Sequence, residues 1–284
     1  MQFEESELET LNRCPWCEST NFDEWGRPTG VFNAARCGDC GLIFMRTRLN
    51  ATGLERYYST YLSQAHQADD MLNKQRAQMY RIDFDFIHQF INRGRVLDVG
   101  CSGGYFLDVF AEHGFDCLGV EFGAEAASTA AKKFKIWNGD FPTLDIRETF
   151  DLVIFRGVIE HVPEPRAYLE KAVSLLNPKG LLFITATPNA DALCCDLFKE
   201  QWNQHLPESH LMHFRVDHFD HFFAKAGLRR EGLAFFYEET PYAAPEEDIL
   251  AVARAIDLRR QSKNVPFRSP SFWGNMMTVA YRRT

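Results

Sequence analysis

The fold is decided by the stretch Val96-Leu-Asp-Val-Gly-Cys-Ser-Gly-Gly-Tyr-Phe-Leu107. Its first four residues predict a buried strand, the small residues after them predict a tight turn, and the end of the stretch predicts a helix. The small residues Gly100, Ser102, Gly103 and Gly104 let the backbone approach a ligand, and the helix N-terminus offers free N–H groups. The stretch therefore predicts a nucleotide-type pocket, with tight strand-to-helix packing as the simpler alternative.

Short apolar segments alternate with helical stretches around this turn. Strands are predicted at 96–99, 117–120, 152–155 and 181–186, with helices near 104–113, 123–133 and 164–176. This alternation is typical of an α/β fold in which a parallel sheet is covered by helices on both faces. The rest of the chain predicts a helix at 216–226, a strand at 228–237, a helix at 245–262 and a strand at 276–282. The connection between the last two strands predicts an antiparallel end to the sheet.

Two C-x-x-C pairs precede this domain. Cys14 and Cys17 are followed, after nineteen intervening residues, by Cys37 and Cys40. A hairpin that joins two chelating pairs can form a tetrahedral four-thiolate site, which leaves no open position for water. The spacing predicts a structural zinc site, with four buried free thiols as the alternative. The other cysteines lack such pairing and are predicted to be buried small side chains: Cys101, Cys117, Cys194 and Cys195.

These patterns divide the chain into three parts. A zinc-ribbon-like module is predicted at 1–48, a helical connection at 49–93 and the main domain at 94–284. Within the connection, a helix over 75–92 is predicted from apolar residues at three- and four-residue steps: Met79, Ile82, Phe86, Ile87, Phe90 and Ile91.

Composition and charge exclude several classes of protein. The 284 residues include 31 basic and 39 acidic side chains, and the formal charge of −8 argues against broad binding to nucleic acid or an anionic membrane. No apolar run approaches the roughly 20 residues that span a bilayer. The acidic N-terminus is unlike a signal peptide, so we expect a cytoplasmic location. The sequence does not fix the oligomeric state, and a homodimer is one possibility.

Three acidic residues lie at or just after the ends of predicted strands. Glu121 could accept both hydroxyl hydrogens of a ribose, or it could be a solvated acid at a strand end. Asp98 would repel a pyrophosphate but attract a cation, and the turn lacks the G-x-G-x-x-G phosphate fingerprint. Asp140 and Phe141 suit the exocyclic amine and the ring face of adenine, although Asp140 could simply open a turn before Pro142. The set favours S-adenosylmethionine, which carries no phosphate, over a dinucleotide.

Further motifs complete a resemblance to a known family. They are the strand Phe150-Asp-Leu-Val-Ile-Phe155, the run Gly157-Val-Ile-Glu-His-Val162 and the segment Leu176-Asn-Pro-Lys-Gly180. Over about residues 80 to 282, the chain resembles Rossmann-like, class I S-adenosylmethionine-dependent methyltransferases. The resemblance implies a mostly parallel seven-stranded sheet with an antiparallel last strand. The N-terminal ribbon resembles that of a subset of methyltransferases acting on sugars and other natural-product or cell-surface metabolites.

The resemblance also implies a cofactor that lies across the carboxyl ends of the first strands. Asp98 and the 100–104 loop would contact its methionine portion, with Ser102 standing where the family often has Gly. Arg156 would line the pocket beside the transferred methyl group, unless it is a salt-bridged surface residue. The full implied cofactor-binding set is Asp98, Gly100, Ser102, Gly103, Gly104, Glu121, Phe122, Asp140, Phe141, Phe155 and Arg156.

Methyl transfer from sulfur is an in-line displacement, in which the protein aligns the reactants and excludes water. An oxygen or carbon acceptor also needs a base, and imidazoles suit proton removal at cellular pH. The candidates are His161, His210 and His213. The alternatives are a polar residue before a turn for His161 and packed or surface histidines for the other two. A metal site made of His205, His210 and His213 has no i, i+4 motif behind it.

These observations predict a methyltransferase for a small-molecule acceptor: a sugar, a lipid-linked intermediate or another secondary metabolite. One alternative is an RNA methyltransferase that uses the ribbon to bind RNA. The ribbon hairpin at 18–36 disfavours this alternative because it carries three acids against only two arginines, Arg27 and Arg36. The other alternative is a non-catalytic protein that keeps the cofactor-binding fold.

Overall fold

The computed structural model describes residues 3–65 and 70–284. Its strands are β1 (Leu8–Thr10), β2 (Phe22–Glu24), β3 (Asn33–Cys37), β4 (Ile43–Leu49), β5 (Arg95–Val99), β6 (Asp116–Glu121), β7 (Lys135–Asn138), β8 (Phe150–Arg156), β9 (Leu176–Pro188), β10 (Met212–His213), β11 (Leu228–Ala234) and β12 (Met276–Arg283). Its α-helices are α1 (Ala51–Ala65), α2 (Asp70–His88), α3 (Tyr105–Glu112), α4 (Ala124–Ala130), α5 (Pro165–Ser174), α6 (Leu193–Phe198), α7 (Val216–Lys225) and α8 (Pro245–Arg260).

The main sheet has seven strands in the order β11-β12-β9-β8-β5-β6-β7. The pairs among β5, β6, β7, β8 and β9 are parallel. Strand β12 lies antiparallel between β9 and β11. This topology confirms the predicted α/β fold, including the antiparallel last strand.

Helices cover both faces of this sheet because successive side chains of each strand point to opposite sides. On one face, Val96 and Phe183 pack in a cluster with Phe84 of α2 and Phe110 of α3. The opposite face packs against α5 and α7, with a core that includes Leu97, Val153, Leu169 and Phe219. The central residues of β5 and β8 are therefore mostly buried and apolar, as expected for parallel strands that are covered on both sides.

The predicted boundaries differ in extent from the observed ones. Strand β9 is longer than the predicted 181–186 because it pairs with β8 and with β12 on its two sides. The predicted helix at 75–92 corresponds to α2, which already ends at His88. The predicted connection at 49–93 also contains 66–69, which lie outside the described residues, as do Met1 and Gln2 of the predicted ribbon. Among the described helices, none is long and apolar enough to cross a bilayer.

The N-terminal part forms a separate antiparallel sheet that takes one strand from the main domain. Its order is β1-β4-β3-β2, and β10 pairs with β4. The register of this pair sets Met212 opposite Phe44 and His213 opposite Ile43. Trp16 packs edge-on against Phe214, with ring centroids 5.4 Å apart. The ribbon is thus joined to the main domain both by strand pairing and by an apolar contact.

The turn into β5 generates a prediction about stability. Gly94 has a φ of +137°, and a Cβ there would lie 2.6 Å from Oδ2 of Asp151, which accepts a hydrogen bond from the Arg95 N–H at 2.9 Å. Gly94→Ala would combine backbone strain of about 1–3 kcal/mol with a disturbed hydrogen bond of about 1 kcal/mol. We expect the free energy of unfolding, measured in urea, to fall by roughly 2–4 kcal/mol.

Gly114 provides the matched control for this substitution. It has a φ of +81°, and a Cβ there would meet nothing within 4 Å. Gly114→Ala should therefore cost only the backbone term, about 1 kcal/mol. A cost at Gly114 equal to or larger than the cost at Gly94 would contradict this account of the turn.

Candidate functional site

A cavity of about 1530 Å³ opens at the carboxyl ends of β5, β6 and β8. Ligand pockets in proteins usually enclose roughly 300–1,000 Å³, so this one has room for two ligands side by side. The carboxyl edge of a parallel sheet is also where ligands bind in folds of this type. The predicted site residues in its wall are Asp98, Gly100, Ser102, Glu121, Phe122, Asp140, Phe141, Arg156, His161 and His210.

Of the predicted cofactor-binding and catalytic residues, four lie outside the cavity wall in the described part of the chain: Gly103, Gly104, Phe155 and His213. Gly104 is the N-cap of α3 with a left-handed φ of 83°. Phe155 is fully buried, and its ring meets Phe141 edge-on with centroids 6.1 Å apart. Gly104 and Phe155 therefore shape the turn and the core beneath the cavity.

The turn after β5 fixes the carboxylate of Glu121. The backbone N–H of Ser102 donates to Oε2 at 2.8 Å, and that of Gly123 donates to Oε1 at 2.7 Å. Burial raises the pKa of this carboxyl, and the backbone hydrogen bonds oppose the shift. A carboxylate oxygen can accept more than one hydrogen bond, so Glu121 can hold two further donors in a fixed direction.

Asp98, the penultimate residue of β5, is a buried carboxylate. It is 2% exposed, and its Oδ1 has no hydrogen-bond partner among the described residues. Burial raises its pKa to about 7, against the positive charge of Arg156, while the Glu121 carboxylate raises it further. Because an unpaired buried carboxylate is costly, the geometry suits a ligand that brings a cationic donor to Oδ1.

Arg156 at the end of β8 is held by a partner that sequence reasoning missed. Its Nε donates to Oδ2 of Asp83 on α2 at 2.8 Å, and the Thr185 hydroxyl donates to Oδ1 of Asp83 at 2.6 Å. The guanidinium also lies over the ring of Tyr80, 4.5 Å from its centroid. Arg156 therefore forms a salt bridge, as the alternative of a surface residue predicted, but it lies in the cavity wall and not on the outer surface. The sequence feature that could have indicated this role is that Asp83 is a carboxylate directly beside the apolar stripe of α2.

The aromatic residues near Asp140 differ from expectation. The Tyr168 hydroxyl donates to Oδ1 of Asp140. Phe141 is only 1% exposed and packs with Phe155 and Tyr168, so its ring is not free to stack on a ligand. Phe122, 56% exposed in the cavity wall, offers a ring face instead. Of these two rings, the ring of Phe122 is the exposed one.

His161 and His210 meet at the other side of the cavity, with ring centroids 4.7 Å apart. Nδ1 of His161 lies 3.0 Å from the Ser209 carbonyl oxygen, and Nδ1 of His210 lies 2.7 Å from that of Gln204. A carbonyl can only accept, so both protons sit on Nδ1 and both Nε2 atoms present a lone pair. Burial lowers the pKa of His161 to about 3 and that of His210 to about 4, so both rings are neutral at pH 7.

Two further groups complete this side, and neither was found from the sequence. The Tyr58 hydroxyl, on α1, lies 3.1 Å from Nδ1 of His161. Glu160 is buried, accepts a hydrogen bond from the Thr187 hydroxyl at 3.1 Å, and has Oε1 3.8 Å from Nε2 of His161. Burial raises the pKa of Glu160 to about 8. One possible ligand atom from each of Glu160, His161 and His210 lies within 4.8 Å of the other two, so the three titratable groups are clustered on this side.

His213 lies behind this group, outside the cavity wall, with its ring centroid 6.3 Å from that of His210. It is buried in β10, its Nε2 is 3.1 Å from Nδ1 of His205, and its ring meets Trp202 edge-on. Nothing in this setting brings it to an acceptor in the cavity, so the structure does not support its predicted role as a base. The grouping of His205, His210 and His213 around one metal is likewise absent among the described metal-ligand clusters.

The four cysteines of the ribbon converge. The Sγ atoms of Cys14 and Cys40 are 3.6 Å apart, those of Cys17 and Cys37 are 3.5 Å apart, and all four lie within 4.8 Å of one another. Disulfide sulfurs would be about 2.05 Å apart. A tetrahedral site with Zn–S bonds of about 2.3 Å places the sulfurs about 3.8 Å apart. The cluster therefore has the dimensions of a four-thiolate metal site.

Fold and site together define a Rossmann-like α/β protein with a ligand cavity at the carboxyl edge of its sheet and a four-cysteine module beside it. The family described as "Methyltransferase domain" matches residues 48–231. The chain belongs to this family. The match covers the cavity wall from α1 to β8 and extends through the histidine segment.

Individual relatives match a shorter part. The ubiquinone biosynthesis O-methyltransferase of Rhodopseudomonas palustris (strain BisA53) is 32% identical over 102 residues, which cover 34% of this chain and 40% of the relative. The enzyme of the same name from Xanthomonas campestris pv. campestris (strain B100) is 29% identical over 125 residues, 40% of this chain and 52% of the relative. The chain thus spans about half or less of the length of these curated relatives.

Solved structures share the fold at low identity. Magnesium protoporphyrin IX methyltransferase from Synechocystis PCC 6803, with bound SAH, gives a TM-score of 0.53 at 14% identity and covers 83% of this chain and 96% of its own. The 1,6-didemethyltoxoflavin-N1-methyltransferase of Burkholderia thailandensis gives 0.53 at 17% identity, with 92% and 100% covered. These likenesses confirm the class I methyltransferase fold.

The buried histidines generate a prediction about pH. The pKa of His210 is lowered to about 4 by burial, whereas an unfolded histidine titrates at about 6.5. On acidification the unfolded chain therefore takes up this proton first, which favours unfolding by about 2 kcal/mol between pH 7 and pH 5. We predict that His210→Asn loses this part of the pH dependence of the free energy of unfolding.

Urea unfolding of wild type and variant at pH 7 and pH 5 measures the difference. His221 is exposed on α7, and His221→Asn is the control that should keep the wild-type dependence. The same pH dependence in His210→Asn and wild type would contradict the neutral, buried state of His210.

Proposed function

We propose that this protein is an S-adenosylmethionine-dependent methyltransferase that acts in the cytoplasm on a small-molecule acceptor: a sugar, a lipid-linked intermediate or another secondary metabolite. The observation that carries the proposal is the unpartnered, buried Oδ1 of Asp98 in a cavity that also holds Glu121 and a pair of neutral histidines. Family membership and the relatives named ubiquinone biosynthesis O-methyltransferase support the same class of chemistry.

The residues on the strand side of the cavity fit this cofactor. Asp98 would accept the ammonium group of its methionine portion, Glu121 the ribose hydroxyls and Asp140 the adenine amine, with Phe122 offering a ring face to the base. When bound, the cofactor supplies an electrophilic methyl group on a sulfonium. Carboxylates around that cation are favourable, whereas they would oppose the phosphates of a dinucleotide.

The histidine side would receive the acceptor. A neutral imidazole with its Nε2 lone pair toward the cavity can take the proton of an acceptor hydroxyl as the new bond to carbon forms. That proton then resides on Nε2 of His161 or His210. Either imidazolium lies close to the Glu160 carboxyl, whose ionised form would stabilise it. Residues of α1, including Tyr58, line the same cavity and would help to exclude water.

The four cysteines would hold a structural zinc ion. Both arginines of the ribbon hairpin form ion pairs with acids of the main domain, Arg27 with Glu200 at 2.6 Å and Arg36 with Asp196. These acids partly neutralise the two guanidinium groups, which favours a small-molecule acceptor over RNA.

The direct test is to incubate the protein with methyl-labelled S-adenosylmethionine and a cell extract separated into small-molecule, lipid or glycan, RNA and protein pools. Label in a metabolite, lipid or glycan pool supports the proposal. Label in RNA would favour the RNA alternative. Cofactor binding without label in any pool would favour the non-catalytic alternative.

The ribose assignment of Glu121 is tested by Glu121→Ala. Loss of a charge-assisted pair of hydrogen bonds costs about 1.5–3 kcal/mol, so the Kd for S-adenosylmethionine in calorimetry should rise about 10- to 150-fold. Glu125→Ala, at an exposed position of α4, is the control and should leave the Kd unchanged. An unchanged Kd in Glu121→Ala would remove Glu121 from the cofactor site.

The base assignment is tested by His161→Asn. General-base catalysis typically contributes 10²- to 10⁴-fold to a rate. We expect kcat with the acceptor pool to fall by about this factor while the Kd for S-adenosylmethionine stays within about twofold. Wild-type kcat in His161→Asn would assign the base role elsewhere.

A further inference from the structure

We propose that the four-cysteine ribbon is a positioning element for the acceptor side of the cavity. In this inference, which rests on the proposed function, metal binding in the ribbon fixes strand β4, and β4 fixes the backbone that carries Ser209 and His210. The cofactor side of the cavity is carried by the main sheet and should not depend on the ribbon.

One link between the ribbon and the cavity runs through a buried residue, Leu211. Its carbonyl oxygen accepts a hydrogen bond from the Met45 N–H of β4 at 2.9 Å. Its own N–H donates to the Glu160 carbonyl oxygen at 2.8 Å. Leu211 is 0% exposed, so losing either partner would leave a buried polar group unpaired. One residue thus bridges the ribbon strand to the Glu160-His161 segment.

The cavity residues directly precede this bridge. The Ser209 carbonyl accepts the Nδ1 proton of His161 at 3.0 Å, and this bond sets the tautomer of that ring. His210 contributes its own ring to the cavity wall. On the other side of the bridge, Met212 and His213 pair with β4 as strand β10. A shift of β4 would therefore move both histidines relative to an acceptor.

The predicted metal site controls β4 because the second cysteine pair is the hairpin that leads into it. Cys37 ends β3, and Cys40 lies three residues before β4 begins at Ile43. The Gly41 N–H donates to the Cys37 carbonyl at 3.0 Å, and the Cys37 N–H donates to the Leu42 carbonyl at 2.9 Å. A metal held by all four thiolates would tie this hairpin to the first cysteine pair.

Side chains of the main domain also donate hydrogen bonds to the backbone of both C-x-x-C segments. Nδ1 of His218 accepts from the Arg215 N–H at 2.9 Å, so its Nε2 carries the proton and donates to the Cys40 carbonyl at 3.0 Å. Arg166 of α5 donates to the Trp16 carbonyl, between the first two cysteines, at 3.2 Å. The metal site is therefore coupled to the segment after β10 as well as to β10 itself.

The experiment compares the metal-loaded protein, the protein stripped by a zinc chelator, and the stripped protein after addition of Zn²⁺. Hydrogen exchange read at Met45, Leu211 and Met212 measures the bridge without any assay of activity. We expect metal removal to speed exchange at these amides at least tenfold and Zn²⁺ to restore it. The Kd for S-adenosylmethionine should stay within about twofold, and methyl transfer should fall at least tenfold.

Two cysteine variants supply the matched comparison. Cys40→Ser should lose metal and reproduce the stripped protein, whereas Cys117→Ser, at a half-buried cysteine of β6 outside the cluster, should behave as wild type. His218→Ala keeps all four thiols but removes the donor to the Cys40 carbonyl, so it should speed hydrogen exchange at the same amides. His218→Gln can still donate to that carbonyl, so it should speed exchange less than His218→Ala.

Unchanged exchange at Leu211 and Met212 after metal loss would overturn the proposal. So would a parallel loss of cofactor affinity, because the ribbon would then support the whole domain and not one side of the cavity. Failure of the wild-type protein to bind S-adenosylmethionine would instead overturn the proposed function, and the exchange data would still decide whether the ribbon positions this segment.

Discussion

A carboxylate held at the dry carboxyl end of a parallel sheet is the constraint on which the rest of the cavity depends. Strand β5 is covered on both faces, so Asp98 has little water to stabilise its charge, and its pKa rises to about 7. A nearby cation, or a proton on the carboxylate, offsets that cost. Arg156 provides part of the compensation from β8, and Asp83 of α2 fixes Arg156 in turn. Oδ1 of Asp98 has no hydrogen-bond partner among the described residues and is left for a ligand.

The two sides of the cavity follow different electrostatic rules. The strand side carries the carboxyl groups of Asp98 and Glu121, and two backbone N–H groups of the neighbouring turns fix Glu121 in place. The opposite side is neutral, because burial keeps His161 and His210 uncharged. A cationic methyl donor suits the first side, and an acceptor that must lose a proton suits the second. Their separation within one cavity is what a direct transfer between two bound ligands requires.

Local sequence patterns predicted much of the fold, because each of these features depends on residues that are close together in the sequence. The strand, turn and helix around Gly100 and the paired cysteines of the ribbon are such patterns, and the structure contains both. Features set by long-range packing were out of reach. The pairing of His213 with Ile43 is one, and the burial of the Phe141 ring is another. No local pattern distinguishes a histidine that faces a cavity from one that faces a neighbouring sheet.

The most direct test of this account is a crystal structure of the protein with S-adenosylhomocysteine. We expect the ammonium group within hydrogen-bond distance of Oδ1 of Asp98, the ribose hydroxyls on Glu121, and the sulfur facing the space between Arg156 and His161. A ligand bound elsewhere, or bound in the cavity with Asp98 still unpartnered, would contradict the claim that this buried carboxylate defines a cofactor site.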